Sequence, residues 1–183
     1  MKKILALLLL VFTLGCEKDD ICDADTNTTP RLVLSFFDYN DPSVAKNVVN
    51  LKVVQEGRED GIVFNESGTD VTKYLANGPS VSLPLDTSAD RIRYILTLNA
   101  NATDPGLIYT DTLEFNYSRQ TLYISRACGY SVYFLLNGGN GDEPNAFVLN
   151  DDQAATQGNW IQNITIANRN VISENETHLN IYW

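Results

Sequence analysis

The sequence predicts an all-β protein, an antiparallel β-sandwich of about seven to nine strands, with a small closed β-barrel as the alternative. Two observations lead to this class. From residue 31 onward, short runs rich in β-branched and aromatic residues follow one another, interrupted by Gly, Pro, Asn and Asp. No long window keeps the apolar period of about 3.6 residues that a helix needs, so no crossover helices are expected between the strands.

Nine runs are predicted to form strands. In chain order they cover residues 32–38, 48–55, 81–85, 92–98, 112–118, 121–125, 130–136, 160–167 and 178–183. Apolar and polar residues alternate most clearly around Phe115 and around Ile181, and side chains alternate between the two faces of a strand. Both strands are therefore expected to have one buried and one wet face. Residues 42–50 leave room for a single helical turn.

The first fifteen residues have the organisation of a secretory signal peptide. Lys2 and Lys3 precede an apolar run over residues 4–14, and Gly15 is the small residue that a signal peptidase requires. The apolar run is too short to span a membrane, which takes roughly 20 residues. We therefore expect residues 1–15 to be removed on export.

The residues around the cleavage point predict a lipid anchor. Thr13-Leu14-Gly15-Cys16 resembles the bacterial lipobox, although the third residue before the cysteine is usually Leu. The resemblance implies acylation of Cys16. Lys18, Asp19 and Asp20 follow Cys16 and Glu17. The resulting pattern, Cys-x-Lys-Asp-Asp, is similar to the signal that sends lipoproteins of the Bacteroidota to the cell surface. The alternative is that these residues form a solvated acidic linker. We expect an outer-membrane protein that faces the medium, or in the alternative the periplasm.

The length and the net charge of the chain restrict how many domains it can form and which partners it can bind. Removal of the leader leaves 168 residues, divided into a lipidated tether over residues 16–30 and a single sandwich domain over residues 31–183. The mature chain then carries 11 basic and 23 acidic residues, a net charge of −12. So acidic a protein is not expected to bind nucleic acid.

The number of cysteines predicts a disulfide. The chain has three cysteines, and lipidation of Cys16 leaves Cys22 and Cys128 in an oxidising compartment. We expect these two to be bonded; the alternative is two separate buried thiols. Six residues separate Cys16 from Cys22, at most ~20 Å of extended chain, so the domain would sit close to the membrane.

Residues for catalysis or metal binding are sparse. His178 is the only histidine, so a nucleophile–His–acid triad would depend on it, and no Gly-x-Ser-x-Gly motif accompanies it. No metal and no cofactor are expected. Residues 137–145 and 150–159 are predicted to be exposed surface loops; a binding edge formed by both, and calcium binding by their acidic residues, are the alternatives to simple connections. Carboxylate pairs for hydrolysis are set in space, and the sequence does not identify one.

The start of the mature chain, Arg126-Ala127-Cys128-Gly129-Tyr130 and the closing strand together resemble an uncharacterised family of Bacteroidota lipoproteins. The resemblance spans essentially the whole mature chain and implies a secreted, lipidated, mostly β domain without a known activity. The favoured hypothesis is a non-catalytic binding or structural module, with the membrane as one partner through the lipid and an envelope protein or glycan as the other. The alternatives are a small carboxylate-dependent envelope hydrolase and a lipocalin-like carrier.

Overall fold

A computed structural model describes residues 21–22, 29–139, 141, 144–149 and 159–183. Its eleven strands are β1 (Leu32–Phe37), β2 (Val48–Gln55), β3 (Leu75–Gly78), β4 (Ser80–Leu83), β5 (Arg91–Leu98), β6 (Tyr109–Ser125), β7 (Gly129–Leu136), β8 (Phe147–Leu149), β9 (Asn163–Ile166), β10 (Asn170–Val171) and β11 (Leu179–Tyr182). Two short 3₁₀ helices, Thr72–Tyr74 and Pro105–Leu107, precede β3 and β6.

The strands form two sheets, as the predicted sandwich requires. One sheet has four strands in the order β4-β1-β11-β9; the other has seven, in the order β10-β7-β6-β5-β2-β3 with β8 beside β6. Neither sheet closes into a barrel. The pairs are antiparallel except that β1 and β11, the first and last strands, run parallel.

Most of the predicted strands are confirmed, and the differences have physical reasons. The runs 112–118 and 121–125 are one strand, because β6 pairs with β5 as far as Asn116 and with β7 from Tyr117 onward. Strands β3, β8 and β10 were not predicted, since each has only two to four residues.

The helical turn predicted within residues 42–50 is absent from the described chain. Val44 N–H donates instead to Asp41 O in a single turn, and β2 begins at Val48. No helix in the described part of the chain is long and apolar enough to cross a membrane.

The core lies between the sheets and is built from alternate residues. Strand β5 contributes Ile92, Tyr94, Leu96 and Leu98, all at most 6% exposed, while the residues between them are half-buried. On β2 the alternation is interrupted: the register shifts between Val48 and Leu51, so both side chains are buried. The left-handed backbone of Asn50, with φ of 47°, lies within this bulge.

The prediction that one face of β6 is exposed to solvent is partly wrong. Asn116 is only 4% exposed, because residues 145–149 run alongside it. Its N–H donates to Ala146 O, its side-chain amide donates to Asn145 O at 3.0 Å, and its carbonyl accepts from Asn137 N–H. A buried amide needs such partners, and the sequence pattern does not show that Asn137 and the two residues before β8 will supply them.

His178 joins the first strand to the last. The side chain is fully buried, and its Nδ1 accepts a 2.9 Å hydrogen bond from Val33 N–H. The backbone N–H of His178 donates to Val33 O. Burial lowers the pKa of His178, although the carboxylates of Glu176 and Glu174 and the backbone of Asn170 oppose the shift. Since Nδ1 is an acceptor here, the neutral ring must carry its proton on Nε2. His178 therefore has a structural role beside the β1–β11 pairing.

Protonation of His178 should therefore destabilise the protein. The folded state takes up this proton less readily than the unfolded state, so stability is full above the unfolded pKa of about 6.5 and falls as the pH is lowered through it. The loss is at most about 1.4 kcal/mol per pH unit. Urea unfolding between pH 7.5 and 5 (about the range in which histidine titrates) measures it.

His178→Asn provides the matched control, because the Asn side-chain oxygen can accept the Val33 N–H bond and does not titrate. The variant should lose less stability than the wild type over the same pH interval. Equal losses in the two proteins would show that His178 is not the group responsible.

Candidate functional site

The tether of the domain ends at a disulfide. Cys22 is bonded to Cys128, with 4.9 Å between their Cα atoms, which confirms the predicted pair. Cys128 lies in the turn between β6 and β7, where its N–H donates to Ser125 Oγ at 3.0 Å. A hydrogen bond to β7 follows further along the chain, where Val132 N–H donates to Thr29 Oγ1 at 3.1 Å. Cys22 and Thr29 are thereby attached to the β6–β7 hairpin.

The turn that carries Cys128 stands at the end of a projecting hairpin. Strand β5 pairs with β6 only up to Asn116, so β7 is the one partner of residues 118–125 among the strands that the structure describes. We call residues 118–125 and 129–133 the arm. Side chains over residues 118–121 are exposed, in contrast to the buried residues that precede them on β6.

The base of the arm is held by the connection between β4 and β5. Tyr117 Oη accepts from Asp86 N–H at 2.8 Å and donates to Asp86 O at 3.1 Å, while burial raises the pKa of Tyr117 to about 12. Arg119 donates to Asp90 Oδ1 at 2.7 Å and to Thr87 O at 2.6 Å. These bonds fix the direction in which the arm leaves the sandwich.

Two tyrosines are exposed near the end of the arm. Tyr123 and Tyr130 face each other in register, their rings 5.4 Å apart at a steep angle, and they are 57% and 72% exposed. Ile21, next to the disulfide, is 82% exposed. We call Ile21, Tyr123, Tyr130 and the disulfide the arm tip.

A charged groove lies on the outer face of the larger sheet. Its volume is about 380 Å³, and its lining residues are Gln55, Glu56, Arg91, Ile92, Arg93 and Glu114. Arg93 is opposite Glu114 in the β5–β6 register, and their side chains, 16% and 13% exposed, approach to 3.3 Å. The Arg93 guanidinium also lies 3.8 Å from Glu56, and Arg91 lies 3.9 Å from Glu114.

The charges that line this groove suit it to binding a charged partner. Glycoside hydrolysis needs one protonated and one ionised carboxylate, but here Glu56 and Glu114 both face the Arg93 guanidinium, so the geometry does not distinguish an acid from a base. Arg91, whose side chain is 75% exposed, presents donors that fit a carboxylate or phosphate.

The remaining predicted site residues are placed as follows. Cys16 and the export residues Lys18, Asp19 and Asp20 lie outside the described residues, as do 150–158 and parts of the 137–145 loop. Among the residues that the structure describes, no group of three or more His, Cys, Asp or Glu side chains is arranged to hold a metal ion.

Sequence reasoning did not find the groove or the tyrosine pair. The sequence holds a signal for each. Arg91 and Arg93 are two positions apart on one strand, which places both on the same face. Tyr123 and Tyr130 flank the hairpin turn almost symmetrically. The register that brings Glu114 opposite Arg93 was not predictable.

The disulfide should contribute strongly to stability. Loop closure over a separation of 106 residues gives an upper figure of about 4.7 kcal/mol, and we expect the Cys22→Ser/Cys128→Ser variant to lose about 2–5 kcal/mol of unfolding free energy. Urea unfolding measures the loss, and reduced wild type should match the variant. A loss below about 1 kcal/mol would contradict this role.

The Arg93–Glu114 pair should be structural as well. Glu114→Gln leaves a mostly buried guanidinium without its nearest charge, so we expect a loss of about 1–3 kcal/mol in unfolding free energy. Arg91→Gln is the control in the same groove, and its change should stay within about 0.5 kcal/mol because the side chain is 75% exposed. Similar effects of the two substitutions would argue against a special role for the buried pair.

Comparison with known proteins gives a family and no activity. The search of curated proteins and that of solved structures found no match. A model described as "Family of unknown function (DUF6452)" matches residues 50–183, from within β2 to Trp183, which covers both the groove and the arm. The chain therefore belongs to this family of unknown function.

Proposed function

We propose that this protein is a lipid-anchored lipoprotein of the outer membrane that acts as a non-catalytic binding module for another envelope protein. Cys16 would carry the lipid after removal of residues 1–15, and Lys18, Asp19 and Asp20 would direct the chain to the cell surface. The domain then presents its outer sheet face to a partner while it stays attached to the membrane.

The observation that carries this proposal is the position of the disulfide. Cys22 is bonded to the turn at the end of the arm, and Cys16 precedes it by six residues, at most ~20 Å of extended chain. A lipid on Cys16 would therefore hold the domain by one end. A firmly attached tether is useful to a protein that works beside a membrane, because it limits both distance and orientation.

The groove favours a protein as partner over a neutral glycan. Its six lining residues include four charged side chains and no aromatic ring, so it offers ionic hydrogen bonds without a surface on which a sugar ring could stack. Exposed Arg91 and Glu56 can pair with opposite charges on a protein surface, which contributes more to specificity and association rate than to affinity.

Neither alternative activity gains comparable support. The groove does not separate an acid from a base, and fully buried His178 bonds the backbone of Val33. A carrier needs an enclosed apolar cavity, whereas the space between the two described sheets is filled by aliphatic and aromatic side chains.

The anchoring is tested on protein extracted from membranes of the native host or a related bacterium. Mass spectrometry should show a mature chain that begins at Cys16 and carries the added mass of acyl chains, and Cys16→Ala should appear in the soluble fraction. An unmodified N-terminus, or a Cys16→Ala protein that remains in the membrane, would refute the anchor.

The location at the cell surface is tested by a separate experiment. Protease added to intact cells should degrade the wild type, and replacement of Lys18, Asp19 and Asp20 by Ala should protect the protein until the cells are lysed. Protection of the wild type would instead place the domain in the periplasm, with the same anchor.

A further inference from the structure

We infer that the arm tip docks on the lipid surface in which Cys16 is anchored, so that Tyr123 and Tyr130 lie at the level of the lipid headgroups. The inference rests on the proposed lipid anchor. It adds an interaction surface within the folded domain, and it predicts that the domain stands on the membrane by the end of its arm instead of moving freely on its tether.

The length of the tether identifies the membrane as the surface within reach. Ile21 and Cys22 are the described residues nearest in sequence to Cys16, and the disulfide places them beside Cys128 at the end of the arm. With at most ~20 Å between Cys16 and Cys22, the arm tip is the part of the domain closest to the bilayer. Tyr109 lies at the other end of the 17-residue strand β6, about 50 Å away along the strand.

The chemistry of the arm tip suits a lipid interface. Tyrosine combines an apolar ring with a polar hydroxyl, and tyrosines collect where hydrocarbon meets water. Tyr123 and Tyr130 form one patch, since their rings are 5.4 Å apart and both remain more than half exposed. Ile21, 82% exposed, adds an aliphatic side chain on the tether side of the disulfide.

Charge does not provide the attraction. The mature chain has a net charge of −12, so a strongly anionic surface would repel the protein as a whole. The contact must come from the aromatic and aliphatic side chains, and it should form on zwitterionic lipid. The bonds of Tyr117 and Arg119 to the β4–β5 connection keep the arm in one direction, so a docked tip also orients the sandwich.

The test uses the full lipidated protein reconstituted in phosphatidylcholine vesicles. Cys16 is acylated and Cys22 is bonded to Cys128, so an introduced cysteine is the one free thiol for an environment-sensitive fluorophore. Thr121→Cys places the probe on the same face as Tyr123, and Leu107→Cys places it near the other end of β6. Both side chains are exposed.

The probe at position 121 should show blue-shifted emission and be quenched by a headgroup-level quencher in the lipid, and the probe at 107 should show neither effect. Tyr123→Ser/Tyr130→Ser should abolish the shift at position 121. Tyr39→Ser is the matched control and should leave the shift unchanged, because Tyr39 is 51% exposed and its backbone N–H donates to Trp183 O, away from the arm tip.

Each other outcome overturns the inference. Equal quenching at positions 107 and 121, or none at 121 on a chain whose acyl mass is confirmed, refutes docking and leaves the anchor intact. A shift at 121 that grows with protein density and is insensitive to the lipid quencher shows that the tyrosines contact a second copy instead. A second label on an unacylated Cys16 refutes the anchor, and docking with it.

Discussion

Strand β6 changes neighbours along its length, and both the sandwich and the arm depend on that change. Its first half lies between β5 and β8, which buries Leu113 and Phe115 against the smaller sheet. Its second half pairs with β7 alone among the described strands, and its side chains are exposed over residues 118–121. The β6–β7 pairing continues to Tyr123 and shifts register between Tyr123 and Ser125, so the arm is an extension of the core sheet. The disulfide is attached to the turn that directly follows β6, which gives Cys22 a defined position.

The smaller sheet depends on a long-range contact of a different kind. Strand β1 pairs in parallel with β11, so this sheet cannot form until the end of the chain has been brought to its beginning. His178 and Val33 exchange both backbone and side-chain hydrogen bonds at the start of that pairing, where a charged imidazole would have no favourable place. Loop closure over such a distance has to occur before the contact is gained, so topology of this kind is expected to fold slowly. The Cys22–Cys128 disulfide closes a separate loop and so lowers the entropy of the unfolded chain as well.

The features that the sequence predicted are those set by local pattern. Alternation placed Leu113, Phe115 and Leu179 in the core, and the number of cysteines identified Cys22 and Cys128. What escaped prediction depends on partners distant in sequence. The burial of Asn116 is explained by its hydrogen bonds to Asn137, Asn145 and Ala146, and the parallel β1–β11 pair has no signature in either strand. The groove needed the register between β5 and β6, which no property of Arg93 or Glu114 alone specifies.

The groove and the arm tip lie on one continuous strand, which links the two proposals geometrically. Glu114 and Ser125 are eleven residues apart on β6, or about 35 Å. If the arm tip rests on the lipid surface and the arm keeps its direction, the groove is held within about that height above the membrane. A partner that binds there must itself extend about this far from the same membrane, so the geometry favours an envelope protein anchored beside this one over a freely diffusing molecule. Effective concentration then helps both partners, because each is confined to the same surface before they meet.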